Sequence, residues 1–254
     1  MERSERERYF HDEVDIRSRN KKFRNRFWHV HESPNTRRAD LYFAGLLRAA
    51  VPGRRALEIG CGTGRLAQRV LGMGAAEVHG IELSRRALEG ARPRESASLH
   101  FFEHDAHSPL DGSYDVIFGK AILHHLNYRE VLPRLYRDNL RPGGEMTFFE
   151  PLGGNLLMKM YWRLGSSVHT PDERPFLDDD LRWLSATFPT FQMTPVNYTT
   201  IPVGVVSSFL SSDPENWVLS VCDRIDSLLA EKFAFLQTHF RSGIFHIRKA
   251  AAEV

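Results

Sequence analysis

Cysteine is nearly absent from the sequence: Cys61 and Cys222 are the only two in 254 residues. Two thiols make no disulfide framework, so the chain must hold itself together by a core. No apolar run reaches the roughly 18 residues that a membrane-spanning helix needs. The opening Met-Glu-Arg-Ser-Glu-Arg lacks the pattern of a secretory signal peptide, and the expected location is the cytoplasm. Charge of one sign is also lacking. The formal net charge is +2, so no global field points to nucleic acid. No fixed-period repeat is present, which excludes solenoids and propellers. The length and the apolar and charged content are those of an ordinary soluble domain, large enough for a real core.

Glycine is concentrated where it matters. Residues 55–67 read Arg-Ala-Leu-Glu-Ile-Gly-Cys-Gly-Thr-Gly-Arg-Leu-Ala. Ala56, Leu57 and Ile59 suit a buried parallel strand. Gly60, Gly62 and Gly64 let the backbone turn tightly and approach a ligand without a Cβ in the way. Thr63 or Gly64 can open a helix bearing Leu66, Ala67, Val70 and Leu71. The third glycine comes one residue too early for the Gly-x-Gly-x-x-Gly of dinucleotide sites. The next strand, Glu77-Val-His-Gly-Ile-Glu82, ends on a carboxylate. Such a group at a strand's carboxyl end is placed to accept hydrogen bonds from a ribose diol.

Together, Glu58, the glycine turn and Glu82 resemble motif I and the ribose-binding acid of class I S-adenosylmethionine (SAM) dependent methyltransferases. Further motifs extend the resemblance over about residues 50–151. Asp115-Val-Ile-Phe-Gly-Lys-Ala-Ile-Leu-His-His-Leu resembles motif IV of the small-molecule enzymes, and Leu140-Arg-Pro-Gly-Gly144 is a turn common in the family. Two relatives are disfavoured by departures at motif IV. Nucleic-acid amino-methyltransferases carry Asn/Asp-Pro-Pro-Tyr/Phe there, and catechol-type enzymes carry a magnesium-binding Asp.

The resemblance implies an α/β, Rossmann-like sheet of seven strands, mostly parallel with the last antiparallel, flanked by helices. It implies SAM as cofactor and S-adenosylhomocysteine as product. The cofactor contacts implied are Glu58, Gly60, Cys61, Gly62, Gly64, Glu82, Leu83, Asp105, Ala106, Gly119 and Lys120. Strands are expected at 99–102, 115–118, 146–151, 191–200 and 244–248. Between the last two, Asp213-Pro214 is expected to start an amphipathic helix with Trp217, Val221, Ile225, Leu228 and Leu229 on one face. The chain then divides into a helical arm, residues 1–50, and a SAM-binding domain, residues 51–254, with a helical insertion at about 201–240. That insertion would cap the active site or make a homodimer contact.

Residues 17–26 carry six basic side chains interleaved with aromatics, an amphipathic arm expected to dock on the domain. Ser33-Pro34-Asn35 is expected to break the chain, with Thr36 capping the next helix. Asp178 is expected to cap a helix bearing Leu181, Leu184 and Phe188. An apolar helix is expected over 155–164.

Methyl transfer to oxygen, nitrogen or carbon commonly needs a base. The candidates are His124 and His125 after the fourth strand, Glu150 after the fifth, and His169 in a polar loop. Adjacent histidines are expected to point apart, so only one of the pair would serve. His104 and His107 read as loop histidines, and no metal is expected. The acceptor is expected to be a small, apolar molecule. Two other readings stay open: methylation of RNA or protein with help from the basic arm, and non-catalytic SAM binding.

Overall fold

A computed structural model of the chain describes residues 3–13, 26–155, 159 and 173–251. Seven strands form one sheet in the order β3-β2-β1-β4-β5-β7-β6. They are β1 (Arg55–Ile59), β2 (Glu77–Glu82), β3 (Leu99–Glu103), β4 (Tyr114–Lys120), β5 (Leu140–Pro151), β6 (Gln192–Val196) and β7 (Ser242–Arg248). The first five pair in parallel, and β7 runs antiparallel between β5 and β6. The expected architecture is therefore present. Parallel strands covered on both faces need continuous apolar runs. Leu57 and Ile59 accordingly face one buried layer with Ile117 and Phe148, while Ala56, Val116 and Phe118 face the other with Phe43 and Leu47. Among the described residues, no helix is long and apolar enough to cross a membrane.

The helices are α1 (Arg3–Glu13), α2 (Trp28–Glu32), α3 (Pro34–Ala50), α4 (Arg65–Leu71), α5 (Arg85–Ala91), α6 (Tyr128–Arg134), α7 (Asp178–Thr187), α8 (Thr200–Leu210) and α9 (Trp217–Lys232). Several starts differ from expectation. The break expected at 33–35 falls at Ser33, between α2 and α3, but Ser33 and not Thr36 is the N-cap of α3, accepting from the Thr36 N–H, with Pro34 at the first helical position. Proline belongs there because its missing N–H has no partner to lose. Asp178 is the first residue of α7 and not its cap. Asp180 reaches back instead, accepting from the Leu177 N–H at 2.9 Å. Asn216, not Asp213, caps α9, accepting from the Leu219 N–H at 3.2 Å.

The sixth strand stops at Val196, and α8 begins at Thr200 where extended chain was expected. Two contacts explain the switch. Gly204 lies so close to α2 that an added Cβ would sit 3.1 Å from Val30 Cγ2. Asp226 of α9, almost wholly buried, accepts hydrogen bonds from the Tyr198 N–H (2.8 Å), the Thr199 N–H (2.7 Å), the Thr199 hydroxyl (2.6 Å), the Thr200 hydroxyl (2.9 Å) and the Asn35 amide (2.6 Å). One carboxylate thereby ties α9 to the start of α8 and to α3. The expected apolar face of α9 is turned outward: Trp217 is 77% exposed, and Val221, Ile225 and Leu228 are exposed as well. Leu219, Cys222 and Asp226 form the buried face. The apolar helix expected at 155–164 and the basic run at 17–25 lie outside the described residues.

Candidate active site

The glycine turn follows β1. Gly60, Gly62 and Gly64 all have left-handed φ, at +66°, +53° and +72°. At Gly60 a Cβ would come within 2.5 Å of Ile122 Cδ1, and at Gly64 within 2.3 Å of Phe101 Cζ. At Gly62 nothing lies within 4 Å, so backbone conformation alone favours glycine there. Glu82 closes the turn from the end of β2. Its Oε2 accepts from the Gly62 N–H at 2.9 Å, and its Oε1 from the Leu83 and Ser84 N–H groups at 2.8 and 2.9 Å. A carboxylate offers about four lone-pair directions, so accepting capacity remains after those three bonds.

Glu58 is buried in β1, and Cys61 is buried in the turn. Burial pushes the Glu58 carboxyl well above its usual range, and the nearby Glu82 charge adds to this. The Glu58 Oε2 has no hydrogen-bond partner among the described residues. Burial likewise raises the Cys61 thiol, which makes it inert as a nucleophile. The Cys61 N–H donates to the Ile81 carbonyl at 3.0 Å, locking the turn to β2.

Asp105 stands beyond β3. Burial raises its carboxyl, but hydrogen bonds from Ser4 and His107 outweigh that and hold it below the usual range. The adjacent Ala106 carbonyl accepts from Arg134. Helix α1 runs over this edge of the sheet. Asp12 accepts from the Ser84 hydroxyl, Arg86 Nη1 donates to the Asp12 carbonyl at 3.0 Å, and Arg3 Nε donates to the His125 carbonyl at 3.0 Å. Gly119 near the end of β4 leaves no room for a Cβ, which would lie 2.7 Å from Ile122 Cγ2. The Lys120 side chain turns to α3, pairing with Asp40 Oδ1 at 2.6 Å.

The most concentrated chemistry follows β4. Leu123–His125 form a short 3-10 turn, whose N–H groups are collected by Glu150 from the end of β5. Glu150 accepts from Ile122 and Leu123 at 2.9 Å each and from His124 Nδ1 at 2.8 Å. Its side chain is fully buried, and it orients the turn. Residues 173–176 run beside this turn: the Arg174 N–H donates to the His124 carbonyl at 3.3 Å, and the Phe176 N–H donates to the Pro151 carbonyl at 3.0 Å. Glu173 is thereby delivered to both imidazoles. His124 Nε2 lies 3.3 Å and His125 Nε2 3.7 Å from Glu173 Oε1. His125 Nδ1 lies 3.2 Å from Glu7 Oε2 of α1.

The expectation that the two histidines diverge is thus wrong. The tight turn brings their ring centroids to 4.2 Å, and both face one carboxylate. Burial lowers the His124 pKa, but hydrogen bonds and charge from Glu150 and Glu173 overcome it and push it up to about 9. His124 is then an imidazolium near pH 7 and cannot accept a proton. His104 and His107 make no ligand set: His107 is spent on Asp105 and on the Asn127 N–H. His169 lies outside the described residues. In the sequence Glu173 reads only as the end of a polar, titratable loop over 168–173, and Glu7, Ser4 and Asp12 carry no signal, because no local spacing relates them to the histidines or to the glycine turn.

A cavity of about 660 Å³ opens between the segment after β5 and the start of α8. Gly154, Asn155, Tyr198, Thr199, Pro202, Val203 and His239 line it.

Residues 56–144, from β1 through the turn entering β5, match the methyltransferase domain family. Over that segment the chain carries a methyltransferase domain. It is similar to the ubiquinone biosynthesis O-methyltransferase of Burkholderia vietnamiensis, with 34% identity over 124 residues, 46% of this chain and 53% of that protein. The enzyme of the same name from Thiobacillus denitrificans is 32% identical over 120 residues, 42% of this chain and 48% of that protein. The chain spans about half the length of these curated relatives. By fold it is similar to the phosphoethanolamine N-methyltransferase 2 of Haemonchus contortus, with TM-score 0.60 and 18% identity, covering 88% of this chain and 57% of that one. Magnesium protoporphyrin IX methyltransferase of Synechocystis PCC 6803, with S-adenosylhomocysteine bound, gives TM-score 0.59 and 14% identity over 98% of this chain and all of that one.

The residues of the matched segment fit SAM. The glycine turn is a cradle that any Cβ at Gly60 or Gly64 would fill, and Glu82 is held at its rim with accepting capacity to spare.

Proposed function

We propose that the chain transfers the methyl group of SAM to an oxygen of a small, largely apolar acceptor. The observation that carries this reading is the His124–His125–Glu150–Glu173 cluster. It stands at the carboxyl ends of β4 and β5, the side of an open α/β sheet where ligands bind, and it adjoins the glycine cradle through Ile122. The ubiquinone biosynthesis relatives are O-methyltransferases, which supports oxygen over nitrogen or carbon.

In this reading Glu82 receives the ribose diol and Asp105 with Ala106 borders the adenine. Gly60, Cys61, Gly62 and Gly64 bring the backbone close to the cofactor, and Gly119 with Lys120 offers backbone beside them. SAM supplies a methyl group on a positively charged sulfur. The chain's share is to hold the acceptor oxygen in line with it, and orientation alone can contribute about 7–11 kcal/mol. His125, the more exposed of the two rings, takes the acceptor's proton. His124, fixed by Glu150, positions the turn. The cavity beside Tyr198 and Val203 holds the apolar body of the acceptor. Helix α1 lies over the cofactor edge as the described part of the arm, and the insertion forms the acceptor wall.

The test is incubation of the purified protein with methyl-labelled SAM and an extract of its source cells. Label in small, organic-soluble molecules is the expected result. Label in RNA or protein would replace the acceptor class. No label with SAM binding intact would leave a cofactor-binding protein and refute the proposed activity.

A further inference from the structure

We infer that His124, His125 and Glu173 form a site for one divalent transition-metal ion. The inference stands on the arrangement of these side chains, and only its part in turnover rests on the methyl-transfer reading. Among the described residues, these three form a group whose ligand atoms all lie within 4.8 Å of one another. The atoms that converge are both Nε2 atoms and Glu173 Oε1, with the two nitrogen–oxygen separations at 3.3 and 3.7 Å. Metal–ligand bonds of about 2.1 Å in a tetrahedral arrangement hold neighbouring donor atoms about 3.4 Å apart.

The outer contacts carry the same message. A metal-binding imidazole typically directs its other nitrogen to a carboxylate, which fixes the ring. Both rings do so here. His124 Nδ1 is 2.8 Å from Glu150 Oε2, and His125 Nδ1 is 3.2 Å from Glu7 Oε2. Two neighbouring histidines, each with a carboxylate behind it and a shared carboxylate in front, are more than an ion pair needs. Two imidazoles and one carboxylate suit zinc, iron(II) or manganese rather than magnesium. Three protein ligands leave open positions. Glu173 and Glu7 come from segments that flank the sheet, so the ion would also pin the 173–176 segment and α1 to the turn after β4. An acceptor hydroxyl at an open position would lose its proton more easily, which relieves His125 of the role of base.

The test uses metal alone. The full chain is stripped with a chelator and titrated with Co2+ and with Zn2+, following the visible absorption of the cobalt form and the heat of zinc binding, without SAM or acceptor. The expected result is one equivalent bound, with affinity weakened at least tenfold by Glu173→Gln and by His125→Gln. Far-UV circular dichroism and melting temperature verify that each variant is folded. Glu7→Gln, behind the ligand, is expected to weaken binding less. Absence of stoichiometric binding by the parent chain would overturn the site. So would a folded Glu173→Gln variant that binds as tightly as the parent. Either failure leaves methyl transfer untouched, because that is read separately by labelled SAM.

Discussion

Replacing Asp226 by alanine isolates what holds the insertion to the rest of the molecule. The carboxylate accepts five hydrogen bonds of 2.6 to 2.9 Å. A hydrogen bond to a charged group contributes about 1.5–3 kcal/mol. Simple summation overshoots, because the bonds share one acceptor and are not independent. The variant leaves two backbone N–H groups, two hydroxyls and an amide without their buried partner. Some reach water after local relaxation, so the expected loss is about 3–4 kcal/mol. Urea unfolding followed by circular dichroism reads this as a midpoint lowered by about 1–2 M. Asp226→Asn, which keeps one acceptor oxygen, falls between. Hydrogen exchange localises the effect: the Tyr198 and Thr199 amides lose protection first, whereas the Gly62 amide, held by Glu82, does not. SAM affinity stays within about twofold, since Asp226 touches nothing in the glycine cradle. A loss below about 1 kcal/mol, or equal deprotection of Gly62, would refute the account of one carboxylate as the tie.

Glu82→Ala is expected to weaken SAM binding at least tenfold by calorimetry and to lower stability by about 1–3 kcal/mol, because three backbone N–H groups lose their acceptor. Unchanged affinity would remove Glu82 from the site. Gly64→Ala forces a Cβ against Phe101 at a left-handed φ, which costs about 1–2 kcal/mol for the backbone alone. Combining it with Phe101→Leu should recover part of the denaturant midpoint but not the backbone share. The His246 hydrogen bond holds the Glu145 carboxyl below its usual range, against burial. A lowered carboxylate stabilises the fold above its unfolded pKa and ceases to do so as pH falls through the folded one. Stability should therefore drop on acidification below about pH 4.5, and Glu145→Gln should flatten that part of the curve. An unchanged slope would assign the acid sensitivity elsewhere.

The half of the chain up to β5 is legible because its signals are local. Apolar runs mark strands at Ala56–Ile59 and Val116–Phe118, glycines stand where φ is positive, and Ser84 caps its own helix. The later half is decided by distant contacts. The insertion reads as helical over about 201–240, but the end of β6 is read four residues late, at Thr200. Asp226 gathers the Tyr198 and Thr199 N–H groups just before α8, and Gly204 admits α2. The outward turn of Trp217 and Val221 follows from the same carboxylate, which fixes the face of α9 that is buried. The histidine pair is visible as residue types, but its chemistry comes from carboxylates far along the chain. Glu7 lies 118 residues before His125, and no spacing rule reaches that far. Glu150 was seen as a candidate base, and it is the group that holds the turn.

The antiparallel β7 lies between β5 and β6, and the pair Val196–Ser242 is the last rung of the β6–β7 ladder. The chain leaves the sheet at one side of that rung and re-enters at the other. Residues 197–241 are therefore, in topological terms, the loop of a hairpin. Their length and sequence can change without shifting the register of any strand or the glycine turn. If the proposed acceptor wall is built there, it is an exchangeable cassette beside a constant glycine turn. Recombining this stretch between homologues of like sheet is the natural way to redirect such a protein to a different acceptor.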